Sequence, residues 1–370
     1  MQDVRELSYV FPGGAVRNDI YPSCSVIILN YNNRPHLEKC LPSVVKTEYR
    51  GPLEITVIDN GSSDDSVSFV QSRYPGLTLI RLGQNIGFAS AYNRAVSDCR
   101  SELICLLNND VETSGRWLEL LADKLLSDEK NSMAMPKMLD YYDRSILNAA
   151  GTICDIFGLA FNRGIGQKND GRFEGKTDIF YACGACALIR KKTLETAGSF
   201  DERYFMYHED VDLSWRLRTM GYRITYVPEA IVFHMHMGST LTTDKVRGKI
   251  YEFEKNRLMS FIKNYSLVAI LILGPLLIML ISVHVLYALI KGVPDEAGSL
   301  IRALAWNIKN LPGTLSKRRV VQKGRTVSDL YVMKTMAKTS LEIGLGLGLI
   351  KHPIVHSRNE NKNDTTINRK

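Results

Sequence analysis

The chain has 370 residues, 45% hydrophobic and 23% charged, which suits about two domains or one large one and excludes a disordered or low-complexity polypeptide. Its formal charge is +8, and basic residues crowd late, at Lys317, Arg318, Arg319, Lys323 and Arg325, a placement that favours an anionic membrane surface over a nucleic-acid groove. Seven cysteines, an odd number spread along a long chain, imply no disulfide framework and a reducing compartment.

Residues 1–22 read as a polar lead-in without the apolar core of a secretory signal. The β-branched run Ser25-Val-Ile-Ile-Leu-Asn30 is a strand that ends in Tyr31-Asn32. Asn33 is placed to cap the next helix, with Pro35 in its first turn and Pro42 predicting a kink. Glu54 to Asp59 is the second strand, Asn60-Gly61-Ser62-Ser63 a turn, and Asp64-Asp65 the acidic start of a second helix. Leu77 to Ile80, Asn85 to Cys99 and Leu103 to Leu107 follow as strand, helix and strand. This alternation specifies an α/β fold with a mostly parallel, Rossmann-like sheet flanked by helices.

Three strand ends then share one edge, presenting Asn30-Tyr31-Asn32, Asp59-Asn60-Gly61 and Asn108-Asn109-Asp110. Open α/β sheets bind ligands at such an edge. Asp110 is the candidate holder of a divalent cation, Mg2+ or Mn2+, that grips a diphosphate; the alternative is an ordinary polar turn. Asp59 is the candidate acceptor for the N–H of a pyrimidine base. The small-residue stretch from Asn85 through Gly87 to Asn93 permits close approach of a phosphate or sugar, with tight helix packing as the alternative for Gly87. No glycine-rich dinucleotide fingerprint follows the first strand and no Walker-type lysine loop is present. Gly344-Leu-Gly346-Leu-Gly348 lies far downstream and reads as a flexible apolar patch. Cys183-Gly-Ala-Cys186 has redox spacing but no second pair, and reads as packing.

Residues 113 to 180 carry weaker signals, consistent with hairpins and loops framing a site. Beyond them Ala185 to Arg190 is a strand, and His208-Glu209-Asp210-Val-Asp212 opens a helix closed by Gly221. Three acids in a first turn also suit the helix dipole. The functional reading gives Asp210, with Glu209 next, the part of a general base. Val227 to His234 is a strand delivering a histidine, and His234 or His236 is placed to complete the metal site.

Taken together, Ser25 to Asn32, Val57-Ile-Asp59-Asn-Gly-Ser62, Asn85-Ile-Gly87, Leu107-Asn-Asn-Asp110, Gly184 to Arg190, Phe200-Asp-Glu202, Glu209-Asp-Val-Asp212 and Val232-Phe-His234 resemble the family 2 inverting glycosyltransferases of GT-A fold. The nearest likeness is to rhamnosyltransferase-like members that build surface polysaccharides and glycolipids. The resemblance implies Asp59 on the nucleobase, Asp110 on the metal, Asp210 as base and His234 as a possible second metal ligand. Asn30, Tyr31, Asn32, Asn85, Gly87, Asn93, Asn108 and Asn109 complete the expected nucleotide-sugar site. One departure stands out: the family's metal motif usually has two acids flanking one residue, and Asn108 replaces the first. Residues 23–112 are then the nucleotide-binding half and 113–260 the acceptor half of one catalytic domain.

Tyr265 to Ile290 is an almost unbroken apolar run, long enough to span a bilayer with tilt or, through Gly274-Pro275, to enter and return. The basic residues Arg247, Lys249, Lys255, Arg257 and Lys263 before it put the catalytic domain on the cytoplasmic side. Within 292–350, Leu300, Ile301, Leu304, Ala305, Ile308 and Leu311 predict an amphipathic interfacial face, and 351–370 a disordered tail. The expected partners are a nucleotide-sugar donor, a lipid-linked or glycan acceptor and a membrane, without nucleic acid. The alternatives are a catalytically silent membrane scaffold that binds nucleotide-sugar, and a nucleotidyltransferase, whose lysine-bearing first loop is missing.

Overall fold

The computed structural model describes residues 21–235, 243–337 and 340. His236 and the Gly344–Gly348 patch lie outside the described residues. In chain order the N-terminal half runs β1 (Cys24–Asn30), α1 (Arg34–Val44), β2 (Leu53–Asp59), α2 (Ser66–Arg73), β3 (Thr78–Arg81), α3 (Phe88–Asp98) and β4 (Leu103–Asn108). It continues with β5 (Val111–Thr113), α4 (Trp117–Leu126), β6 (Asn131–Asp140), β7 (Leu147–Ala149), β8 (Thr152–Cys154), β9 (Ala160–Asn162), β10 (Cys186–Arg190), α5 (Lys191–Thr196), α6 (Glu209–Thr219) and β11 (Arg223–His234). The C-terminal helices are α7 (Thr243–Asn264), α8 (Leu267–Ile290), α9 (Pro294–Lys309), α10 (Leu311–Gly324) and α11 (Asp329–Met333).

The central sheet has the order β3-β2-β1-β4-β10-β6-β11-β5, with β7 on β6. β3, β2, β1 and β4 are mutually parallel, as helical crossovers require. Beyond β4 the sheet is mixed: β10 is antiparallel to both β4 and β6, while β11 is parallel to β6. The expectation of a mostly parallel sheet therefore holds for the first half only. The cause is β10, which enters between β4 and β6 from a loop rather than a crossover helix.

The local differences have plain causes. Asn33 does not cap α1; its amide sits 2.5 Å from His36 Nδ1 instead. α1 is continuous to Val44 because Pro42 falls in its last turn. α2 begins at Ser66, and Asp64 Oδ1 accepts from the Ser66 N–H, so the acids precede the helix rather than open it. α3 begins at Phe88, since Asn85 to Gly87 form a turn with Gly87 at φ 84°.

Two apolar clusters organise the interior. One lies on the sheet; the other gathers Phe180, Trp215, Phe261, Tyr265, Leu273, Leu277 and Ile281. Helix α6 is inserted between them, sending Leu213 and Leu217 to the first and Val211 and Trp215 to the second. Its polar residues are therefore buried too. Asp212 pairs with Arg216 Nε at 3.0 Å and with Lys263 Nζ at 2.9 Å, and Asn264 Nδ2 donates to it at 2.9 Å. Lys263, 1% exposed along its side chain, also meets Asp201 at 2.9 Å. Burial alone raises both carboxyls, but the cationic partners win and hold both below the usual carboxylate range.

Lys263→Met leaves two buried carboxylates short of a cation. It is expected to cost about 3–5 kcal/mol of unfolding free energy, measured by urea denaturation; a loss below ~1 kcal/mol contradicts a dependence on this lysine.

Candidate active site

β4 ends at Asn108, and the chain does not return beside β1. It turns through Asn109 and Asp110 into β5, which pairs antiparallel with β11 so that Val111 faces His234 in register. The Met235 N–H donates to Asp110 O at 2.8 Å. This pairing brings His234 Nε2 to 3.3 Å from Asp110 Oδ1. The other ring nitrogen, Nδ1, lies 3.0 Å from Asn148 Oδ1. With Asn148 Oδ1 accepting from Nδ1–H, Nε2 is the ring nitrogen that faces the carboxylate, and in a neutral ring it carries the lone pair that a cation would take. Two electron-rich atoms converging in this way suit a shared cation. Among the described residues no group of three His, Cys, Asp or Glu side chains forms a metal cluster. A cation on Asp110 and His234 therefore needs further ligands from water or a bound phosphate, as Mg2+ commonly takes.

On the other side, Asn109 Nδ2 donates to Asn30 Oδ1 at 2.7 Å, and Asn30 pairs in register with Asp59. Asp59 is 4% exposed; Oδ2 accepts from the Ser62 N–H at 3.1 Å, and Oδ1 is buried with no partner among the described residues. A buried acceptor without a donor is costly unless a ligand supplies one. Asn32, at φ 48°, accepts from the Ser63 and Asp64 N–H groups and shapes the rim, beside the exposed Tyr31. Gly61 turns at φ 81°, and an added Cβ would lie 2.4 Å from Gln84 Cα, which leaves no room for a side chain.

Glu209 and Asp210 open α6 opposite these strand ends. Asp210 Oδ2 accepts from the Gly184 N–H at 2.9 Å and Oδ1 from the Val211 N–H at 2.7 Å. Glu209 is buried, and its Oε2 has no partner among the described residues. Burial, then the charge of Asp210, pushes the Glu209 carboxyl well above its ordinary value; burial likewise raises Asp210 against the pull of the Gly184 and Val211 amides. Asp210, Glu209 and Asp110 all act on Cys183, whose thiol is pushed up to about 12 by burial and then by these charges. Acids a hundred residues apart are thus close enough for their charges to act on one thiol. Cys183 and Cys186 are free, and Cys186 lies inside β10.

Three expected contacts take other work. Asn93 is spent on a loop: its Nδ2 donates to Phe200 O and Glu202, and its Oδ1 accepts from the Phe200 N–H. It lines a cavity of about 420 Å³ with Asp201, Arg203 and Lys317, apart from the strand-end crevice. Asn85 Oδ1 is held by Asn60 Nδ2 and the Gly87 N–H, both at 3.0 Å. Gly87 is a packing glycine, since an added Cβ would meet Phe205 O at 2.6 Å, and Phe205 O also takes the Phe88 N–H. The amides of Ile86, Gly87 and Phe88, at the entry to α3, are therefore committed within the protein. Asn108 keeps its place at the end of β4, where its N–H donates to Ala185 O.

Sequence reasoning missed the device that aims α6. Tyr207 and His208 are consecutive non-glycine residues at φ 68° and 71°, a strained conformation. Asn256 of α7 donates to Met206 O at 3.0 Å and Tyr207 O at 2.8 Å. The buried His208 ring lies 2.9 Å from Gly158 O through Nε2 and 3.1 Å from Ser260 Oγ through Nδ1. Burial lowers its pKa to about 4, so the ring is neutral at physiological pH: Nε2–H donates to Gly158 O and Nδ1 accepts from Ser260. Asn148 and His36, which feels the charge of Asp110, were also missed: Asn148 sits in a stretch without periodicity, and His36 in the first turn of α1, whose periodicity marks only its buried face.

Residues 25–198 match the family described as "Glycosyl transferase family 2". An N-acetylglucosaminyl-diphospho-decaprenol L-rhamnosyltransferase of Mycobacterium tuberculosis is 28% identical over 244 residues, 60% of this chain and 78% of that protein. An N-acetylglucosaminyltransferase of Rhizobium sp. (strain N33) is 29% identical over 227 residues, 58% of this chain and 49% of that protein. Among solved structures, GalNAc-T7 with UDP, GalNAc and Mn2+ superposes with a TM-score of 0.51 at 16% identity, over 66% of this chain and 48% of that one, a likeness of fold.

Asn256→Ala removes both donors from the strained turn. It is expected to lower unfolding free energy by about 1–3 kcal/mol, read by chemical denaturation; an unchanged midpoint means that the turn is held by something else.

Proposed function

Taking the chain as what its family 2 domain makes it, a glycosyltransferase, we propose that it moves a sugar from a nucleotide-sugar to a hydroxyl of a lipid-linked or polysaccharide acceptor, with inversion at the anomeric carbon. The observation that carries this reading is that Asp59 ends β2 with a buried oxygen unpartnered among the described residues, while Asp110, just past the end of β4, and Asp210, at the start of α6, both act on the Cys183 thiol. Asp59 Oδ1 takes the N–H of the base, and the Asn30–Asn109 bridge holds the floor beneath the nucleotide.

Asp210 is the general base. It keeps partial exposure while Glu209 is buried, so it is the carboxylate that an acceptor hydroxyl reaches. The hydroxyl proton passes to Asp210, the oxygen bonds to the anomeric carbon, and the bond to the diphosphate breaks on the opposite face. A Mg2+ or Mn2+ ion held by Asp110 and His234 would neutralise charge on the departing diphosphate. The Gly184 amide fixes Asp210 in one orientation. The neighbouring Glu209, raised by burial and by Asp210, holds its proton more readily, which leaves the negative charge on the base.

The acceptor side points to a membrane. α8 has 24 residues and a mean hydropathy of 2.6, and most of it is exposed. The relative that acts on a diphospho-decaprenol substrate supports a lipid-linked acceptor for this chain. The basic residues before α8 support a cytoplasmic catalytic domain.

A donor screen by thermal shift, followed by product analysis with membrane extract, tests the activity; binding without turnover of any donor argues against it. Asp210→Asn is expected to lose about 10²–10⁴ in kcat while keeping nucleotide affinity. Because burial raises the Asp210 carboxyl and the base works ionised, kcat/KM is expected to climb with pH through a midpoint above the usual carboxylate value of ~4. A midpoint at or below that value contradicts the assignment. Asp59→Ala is expected to weaken donor binding by about 10–100-fold, the worth of a charge-assisted hydrogen bond, measured by calorimetry.

A further inference from the structure

The chain on either side of the α8–α9 pair is fastened to one place. α7 ends at Asn264, against Asp212. After α9, Arg318 of α10 bonds to Ile262 O at 2.5 Å and to Tyr265 O, Gln322 Nε2 donates to Lys263 O and Asn264 O, and Arg325 also reaches Asn264 O. Asp329 then accepts from the Ser266 N–H at 3.1 Å, one residue before α8 begins. The Ala337 N–H closes on Cys154 O of β8 at 2.8 Å. The chain leaves and re-enters the catalytic body through the same spot.

α9 joins α8 to the soluble body along its length. At the start of α9, Glu296 meets His284 of α8 at 2.8 Å. Leu300 shares an apolar cluster with Leu273, Leu277 and Ile281. At its end, Asn307 Nδ2 donates to Lys255 O of α7 at 2.9 Å, and Lys255 Nζ lies 5.2 Å from the Trp306 ring. The face predicted from Leu300 to Leu311 is thereby split: Leu300 packs inward, while Ile301 and Ile308 stay exposed at 53% and 74%. The turn between α8 and α9 is Lys291-Gly292-Val293, with Gly292 at φ 71°. α8 runs unbroken through Pro275, so the chain reverses after the helix rather than at Gly274-Pro275.

We propose that α8 lies in the leaflet facing the catalytic domain without crossing the bilayer, so that α10 and α11 stay on the catalytic side. This deepens, and rests on, the membrane part of the function proposed above. A crossing α8 would carry its neighbours into hydrocarbon. α9 beside it has 16 residues, ~24 Å of helix against the ~30 Å needed. It also bears Arg302, whose burial at mid-membrane costs at least ~2.5 kcal/mol. α7, alongside α9, holds the ion pairs Lys255–Glu252 and Arg257–Glu254. All these charges are satisfied where they are, on the aqueous side of α8.

The occupant of the exposed face is lipid rather than protein because of how far that face wraps. Ala269, Leu273, Leu277, Ile281 and Ala288 form the buried stripe. Leu267, Leu271, Ile272, Met279, Val283 and Ile290 are each more than half exposed, on several sides of the helix. A partner helix covers one stripe; a fluid hydrocarbon covers all that remains. No Asp, Glu, Lys or Arg occurs between Leu267 and Ile290.

The test uses the full chain in bacterial membranes. Lys291→Cys at the turn and Lys323→Cys on α10 are probed with a membrane-impermeant maleimide, in intact spheroplasts and in inverted vesicles, against the unmodified chain for background. The proposal expects Lys323→Cys to label only from the catalytic face and Lys291→Cys never from the opposite face. Labelling of Lys291→Cys from the opposite face means that α8 crosses and overturns the proposal, as does Lys323→Cys labelling there. Sedimentation with membranes is scored separately: a chain that stays in the detergent-free supernatant, as monomer or dimer, refutes the membrane reading itself and leaves the sugar transfer to its own tests. Leu271→Glu with Ile272→Glu is expected to reduce binding to phosphatidylcholine–phosphatidylglycerol vesicles at least tenfold with an unchanged circular dichroism spectrum, and unchanged binding also overturns the proposal.

Discussion

The three-residue pairing of β5 with β11 is the constraint on which the site rests. Strand β4 delivers an apolar run to the centre of the sheet, and the chain then turns within two residues into β5. Asn108 to Asp110 make the polar turn between β4 and β5, with Asn109 buried and Asn108 and Asp110 partly exposed. The pairing matches Val111 to His234, so a residue far along the chain reaches Asp110 through backbone register. Antiparallel register is set by main-chain hydrogen bonds, which makes the contact rigid although it joins distant segments.

The second half of the crevice depends on helices outside the family match. α6 is buried all round because it is wedged between two apolar clusters, and its buried charges are neutralised by Lys263 of α7. The same helix α7 supplies Asn256 and Ser260 to the left-handed pair Tyr207-His208. The direction of Glu209 and Asp210 is therefore set from α7, which stands two residues before α8. Helices α6, α7 and α8 contribute to one packed apolar cluster. Backbone strain of this kind persists only where surroundings over-determine it, and here buried hydrogen bonds do so.

Legibility followed physical simplicity. β1 and β4 were readable because buried parallel strands are near-continuous apolar runs, and β2 because Ile55, Val57 and Ile58 make a β-branched stretch that ends at Asp59. β6 was not, although nine of its ten residues are buried: it is rich in methionine and contains Pro136 and Lys137, which argue against a central strand. The fold accommodates Pro136 at an irregularity in β11 between Val227 and Ile231, and Lys137 is paired with Glu174. The polar strand ends around Asp59 and Asp110 could be located from sequence, since strand–helix alternation forces them to one edge. Asn85, Gly87 and Asn93 were read as facing a ligand because small and amide residues at a helix start serve both binding and packing; their hydrogen bonds go to the protein.

By itself the sequence determined the α/β class, the carboxylates at strand ends, the acid pair at the start of a helix and a single long apolar helix. Each is a local property, written in the composition and period of a short segment. Only the tertiary structure decided which of these meet. It gave Asp110 a histidine partner, left one Asp59 oxygen without a donor among the described residues, turned Asp210 towards Gly184 and packed α8 against α9. Those outcomes rest on register and packing between segments tens to hundreds of residues apart, which no local pattern encodes.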